Sequence, residues 1–177
     1  MTDSYTRTAI ALHWTVGALV ITALAMGWIM TDMATSPLKL EVYSWHKWIG
    51  VTVLTLMLVR VLWRGTHPPP VLLPMPVWQR RAAVGLHAFL YAMLLLQPLS
   101  GWAYSNAAGR PIVYLGLIPL PNLVEKNREL APLLKEIHET GALLLAIAVG
   151  LHLLAALKHH LIDRDETLRR MLRWRAG

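Results

Sequence analysis

The chain has 177 residues, 55% hydrophobic and 15% charged, with a mean hydropathy of +0.44 and a formal net charge of +7. Soluble domains usually carry about 25% charged residues, so length and composition point to one membrane domain. The absence of cysteine excludes disulfides, thiolate-held iron–sulfur clusters and covalent C-x-x-C-H haem attachment, and the basic charges sit between long apolar runs, which argues against nucleic acid as a partner.

Arg7 and Asp32 bracket 24 uncharged residues, enough to cross a bilayer core with some tilt. Ala23-Leu24-Ala25 resembles a signal-peptide cleavage site, but the apolar run continues past it to Met30, so residues 8–31 are expected to be a retained first span. Thr35-Ser36-Pro37 breaks the pattern, and a short polar segment leads to His46. The second span is expected over 46–63, with Lys47 at one interface and Arg60 snorkelling toward the other. Arg64 to Pro70, followed by Pro74 and Pro76, reads as a non-helical connection.

The third span is expected over 82–104, with a kink at Pro98 that a bundle tolerates. Residues 105–135 form the longest connection, with prolines at 111, 119, 121 and 132, an apolar patch over 112–120 and a short helix after Asn127. It is expected to lie on the membrane surface as a cap. The fourth span is expected over 138–160, and a basic, helix-prone tail follows over 163–175. The fold class is therefore all-α, a four-helix transmembrane bundle. Lysines and arginines number eleven on the side of the termini and the 2–3 connection, against six on the other. The excess predicts both termini in the cytoplasm.

The histidines sort by depth under this topology. His138 and His152 are 14 residues apart, about four whole turns and roughly 21 Å along one helix face. His46 and His138 lie at the outer ends of their spans, while His13, His87 and His152 lie deeper on the inner side. Two stacked b haems, each gripped by imidazoles from different helices, would use such a set. The outer pair is then His46 with His138. The inner pair is His152 with either His13 or His87, which depth does not separate. A porphyrin needs small residues one turn from its ligand, and Gly17, Gly50 and Gly141 follow His13, His46 and His138 at those offsets. His87 is followed by Leu90 and Tyr91, so the glycines favour His13.

Arg60, on the His46 face and near the inner side, needs a partner, for which an inner-haem propionate or a quinone carbonyl is expected; simple snorkelling is the competing reading. A transition-metal site would want clustered carboxylates. The outer pair has Glu139 alone nearby, and the inner cluster has no acid inside the membrane.

These residues together resemble the bacterial cytochrome b561 family of four-helix, di-haem b proteins. The resemblance runs over nearly the whole chain and rests on Tyr5, Arg7 and His13-Trp14; His46, Gly50, Arg60 and Trp63-Arg64; His87, Tyr91, Pro98 and Gly101-Trp102. It continues through His138-Glu139, Leu151-His152, Ala155-Ala156-Leu157, His159-His160, Asp165, Leu168 and Arg170-Met171, and is weakest over 105–135. It implies a multi-pass protein of the bacterial inner membrane, with two haem b groups, one on His46 and His138 and the other on His13 and His152. Within that family its functional model is superoxide oxidase, and the resemblance implies oxidation of periplasmic superoxide and transfer of its electrons to ubiquinone. Lys47 and Lys135, beside the outer histidines, would draw in the superoxide anion, although both could simply mark the interface. His159, with His87 as the weaker choice, would hydrogen-bond or protonate a bound quinone. The partners implied are quinone, superoxide and the lipid bilayer, with a partner protein allowed but not required. One alternative is a cytochrome b subunit linking a dehydrogenase or hydrogenase to the quinone pool. The other is a non-redox metal-binding or transport bundle.

Overall fold

A computed structural model describes residues 4–172. Four long helices dominate it: α1 (Arg7–Asp32), α2 (Pro37–Thr66), α3 (Val77–Ala107) and α4 (Leu130–Lys158). All four are long and apolar enough to cross a membrane. Between α3 and α4 lies a small antiparallel pair, β1 (Val113–Tyr114) and β2 (Ile118–Pro119). After α4 come one π-helical turn (His159–Asp163) and a short α5 (Arg169–Leu172).

At 26 to 31 residues the helices run about 39–47 Å at 1.5 Å per residue, more than the roughly 30 Å hydrocarbon core. Apolar composition marks only the lipid-crossing part, and polar turns extend each helix beyond it. The largest difference is in α2, which begins at Pro37 where a polar loop is expected. Ser36 is extended and its hydroxyl accepts from Lys39 N, with Pro37 at the first helical position, a strong start signal. At the other end α2 runs through Arg64-Gly65-Thr66 and stops at His67. Pro68 restricts the residue before it, so the proline run ends the helix later than its composition suggests.

Helix α3 passes through Pro98 without ending. In the 105–135 connection the apolar patch over 112–120 forms the hairpin, with Leu115 and Gly116 both at positive φ in its turn. Trp48 Nε1 donates to Val113 O (2.8 Å), and the Thr52 hydroxyl meets the Tyr114 hydroxyl (2.9 Å). The expected short helix is the start of α4, capped by Asn127 Oδ1, which accepts from the Glu129 and Leu130 amides.

Helix α1 packs on α2, α2 on α3, and α3 on α4, while α1 and α4 do not pack closely. The core consists of Val16, Val20, Val53, Met57, Leu90, Leu145 and Ala148, at mid-depth between the two histidine levels. Large apolar side chains such as Ile29, Leu62 and Leu154 point outward. A soluble protein rarely tolerates such a surface; in lipid it is the favourable arrangement. The chain ends meet on one side: Trp63 Nε1 donates to Thr6 Oγ1 (3.0 Å), Trp14 Nε1 to Met171 O (2.7 Å), and Arg170 Nη1 to Val71 O (2.9 Å). Of the expected tail, Arg173 and Arg175 lie outside the described residues.

Candidate functional site

At the outer level, His46 from α2 and His138 from α4 border one cavity of about 440 Å³, within the range of cofactor sites. Its lining runs from Val20, Ala23 and Gly27 on α1 to Gln97 on α3 and Leu145 on α4. The two ring centres are 6.2 Å apart and the rings nearly perpendicular (85°). His46 Nδ1 is buried and closes no hydrogen bond within the described residues. By contrast, His138 Nδ1 lies 3.0 Å from Ser100 Oγ and 3.2 Å from Gln97 Nε2, and Gln97 Nε2 donates to the His138 carbonyl (2.7 Å).

At the inner level three rings converge. His13 and His152 are 6.0 Å apart, and His87 and His152 are 5.2 Å apart. Imidazoles bonded to one metal ion from opposite sides stand roughly 6 Å apart between centres, two bonds of about 2.0–2.1 Å plus the half-rings. The outer pair and the His13–His152 pair fit that spacing; His87 stands too close to His152. His87 is fixed separately, its Nδ1 donating to Ala83 O at 2.6 Å.

Arg60 reaches the inner group from α2. Its Nη1 is 3.1 Å from His13 Nδ1 and its Nε donates to the Tyr91 hydroxyl (3.1 Å). A guanidinium has donors only, so His13 Nδ1 accepts here. For His13 to present Nε2 as a ligand, Arg60 must release Nδ1. Arg60 and Arg64 also lie over the Tyr91 ring, 5.6 and 5.3 Å from its centre. Tyr5, just before α1, has its phenol pKa raised by burial, which outweighs the lowering effect of Arg64, Arg60 and Arg170. Arg60 and Arg64 thus gather around phenols.

The lysines expected at the outer entrance differ in position. Lys135 borders the cavity and pairs with Glu139 at 3.4 Å. Lys47 Nζ points at the Arg110 carbonyl, 3.5 Å away. His159 has turned to the carboxylates beyond α4: its Nδ1 is 2.6 Å from Asp165 Oδ2 and 3.3 Å from Asp163 Oδ2. The π-turn that begins at His159 brings Asp163 and Asp165 to its ring, so its Nδ1 is taken by carboxylates. Burial raises the Asp165 pKa, but hydrogen bonds from Thr167 and His159 hold it below the usual carboxylate value.

Gln97 and Ser100 escaped the sequence reading. The visible signal was a glutamine in the otherwise apolar run Leu94-Leu95-Leu96-Gln97-Pro98, where a polar amide is costly unless it is bonded.

A family model described as prokaryotic cytochrome b561 matches residues 4–174. The chain is 36% identical over 175 residues to cytochrome b561 homolog 1 of Escherichia coli K12, covering 96% of this chain and 97% of the relative. It is 32% identical over 173 residues to cytochrome b561 homolog 2 of the same organism, covering 96% and 92%. A protein named probable superoxide oxidase CybB, from Yersinia pestis, is 32% identical over 186 aligned positions and covered end to end, as is this chain.

Proposed function

The chain belongs to the prokaryotic cytochrome b561 family, multi-pass membrane proteins that carry electrons with haem b, and from that membership we propose that it is a superoxide:ubiquinone oxidoreductase of the bacterial inner membrane. The outer haem is held by His46 and His138 and the inner one by His13 and His152. The observation that carries this reading is the pair of ring separations, 6.2 and 6.0 Å, at two levels with an apolar core between them. Bound haem b supplies one-electron redox chemistry at each level.

The residues of the chain do the rest. Neutral imidazoles from separate helices fix each group by coordination and packing, with no covalent tether. Lys135 and Lys47 give the outer end positive charge for the superoxide anion; the Lys135–Glu139 pair tempers that field, leaving Lys47 the larger share. Two superoxide ions, one quinone and two protons balance to two O₂ and one quinol. Superoxide oxidation takes up no proton, so the outer end needs no acid–base pair. Quinone reduction takes up two, and the inner end offers His87 and His159 with Arg60 to bind a carbonyl oxygen. His159, hydrogen-bonded to Asp165, is oriented to relay a proton rather than to touch the ring. The similarity to the Yersinia pestis protein supports this choice of donor.

The test is the purified protein, haem-loaded and without partners, supplied with ubiquinone and a superoxide source. Quinol should form at a rate that follows superoxide supply and disappear when superoxide dismutase is added. Quinone reduction only after a dehydrogenase or hydrogenase is supplied points instead to a cytochrome b subunit. A preparation with no b-type bands in its reduced-minus-oxidised spectrum rules out both.

A further inference from the structure

The outer level contains a polar assembly that the ligand set does not require. Gln97 is only 9% exposed, on a helix whose surroundings are apolar side chains and lipid. A buried amide there costs a few kcal/mol unless its hydrogen bonds are made. They are made to one residue: Gln97 Nε2 donates to the His138 carbonyl at 2.7 Å and lies 3.2 Å from His138 Nδ1. Ser100, one turn on, places its hydroxyl 3.0 Å from the same Nδ1 and 2.8 Å from the Gln97 carbonyl. The backbone leaves room for this seat. A Cβ on Gly101 would lie 2.7 Å from His138 Cε1, and a Cβ on Gly141 would strike Gln97 Oε1.

The hydroxyl geometry carries a tautomer with it. A serine has one proton to donate. Its donation to the Gln97 carbonyl turns the oxygen's lone pairs toward His138 Nδ1, which suits a ring carrying its proton on Nδ1 and its lone pair on Nε2. Metal-bound histidines generally have the other ring nitrogen fixed in this way, which sets both orientation and basicity. His46 has no hydroxyl in that place: its Nδ1 closes no hydrogen bond within the described residues, and the polar group beside its ring is the Ala23 backbone.

We propose that Ser100 is a positioning residue that locks His138 as an Nδ1-protonated imidazole and thereby tunes the outer haem, while the Gln97 amide nitrogen, which can only donate, holds the His138 backbone carbonyl; the inference rests on His138 being an axial ligand. Donation from Nδ1–H to Ser100 Oγ gives the ring partial anionic character. That favours oxidised iron and lowers the potential of the outer haem relative to a ring without the acceptor.

The experiment is a potentiometric titration of both haems in the full-length, haem-loaded protein and its variants. The component missing in His138→Ala identifies the outer haem; if His138→Ala keeps both haems, the ligand assignment itself fails and the proposal with it. Ser100→Ala should raise the outer component by about a tenfold change in the one-electron equilibrium, about 59 mV. The inner component should stay in place, and Ser100→Thr should restore the original value. Should Ser100→Ala not accumulate, Ser100→Cys, a weaker acceptor, should move the outer component the same way by less. An outer potential unmoved in either variant while both haems remain bound overturns the proposal and leaves the ligand assignment standing. Gln97→Leu should broaden or shift the outer haem's low-spin electron paramagnetic resonance signal, because it frees the His138 backbone; an unchanged signal removes Gln97 from the role.

Discussion

At the scale of single residues, His152 poses the sharpest question, because two imidazoles approach it. His87 is nearer, at 5.2 Å, and its Nδ1 is committed to the Ala83 carbonyl. His13 stands at 6.0 Å, with Arg60 at its Nδ1. The distances oppose the simplest rule that the nearest ring is the partner, since a metal ion between two rings needs about 6 Å between their centres. His13→Ala is therefore expected to halve the haem content, read from the b-band absorbance per protein. His87→Ala should keep both haems and lower quinone reduction by about tenfold, about 1.4 kcal/mol of barrier. Haem loss in the His87 variant with retention in the His13 variant would exchange their roles. Arg60 could be singled out in the sequence by its depth. Its actual neighbours could not be read there, because they belong to α1 and α3.

At the scale of elements, α3 does more than its composition suggests. It reads as a plain hydrophobic span with a kink, yet its Gln97–Gly101 turn forms the seat for the His138 ring. Gly101→Ala places a methyl group 2.7 Å from His138 Cε1. The ring must yield or the helices must part, at about 1–3 kcal/mol as for other overpacked cores. The expected outcome is a lower thermal midpoint together with loss or spectral shift of the outer haem, while inner-haem absorbance persists. A midpoint and spectrum equal to those of the parent protein would show that the ring has free room. The ends of α2 teach a different lesson. Ser36-Pro37 and His67-Pro68 mark its limits by capping and by proline sterics, signals independent of hydropathy. Spans read from apolar runs stop where lipid stops, and helices continue into water.

At the scale of the whole molecule, the start of α1, the segment after α4 and the 2–3 connection lie on one side, tied by Trp63 to Thr6, Trp14 to Met171 and Arg170 to Val71. The lysine and arginine excess on that side predicts that it faces the cytoplasm. A C-terminal green fluorescent protein fusion should fluoresce, and an alkaline phosphatase fusion at the same point should be inactive. The reverse pattern would turn the molecule over and put the outer cavity on the cytoplasmic side, where periplasmic superoxide could not reach it.

Membrane residence, four spans, two depths of histidine and the family were all legible in the sequence, because a bilayer imposes its thickness on hydropathy and helix rise converts residue number directly into depth. Distances across the bundle were not. Which inner ring stands at ligand distance from His152, and that Gln97 and Ser100 hold His138, depend on the rotation of each helix about its own axis and on its neighbours. Those rotations are set by packing between helices far apart in the chain, and side-chain periodicity along any one of them does not contain them.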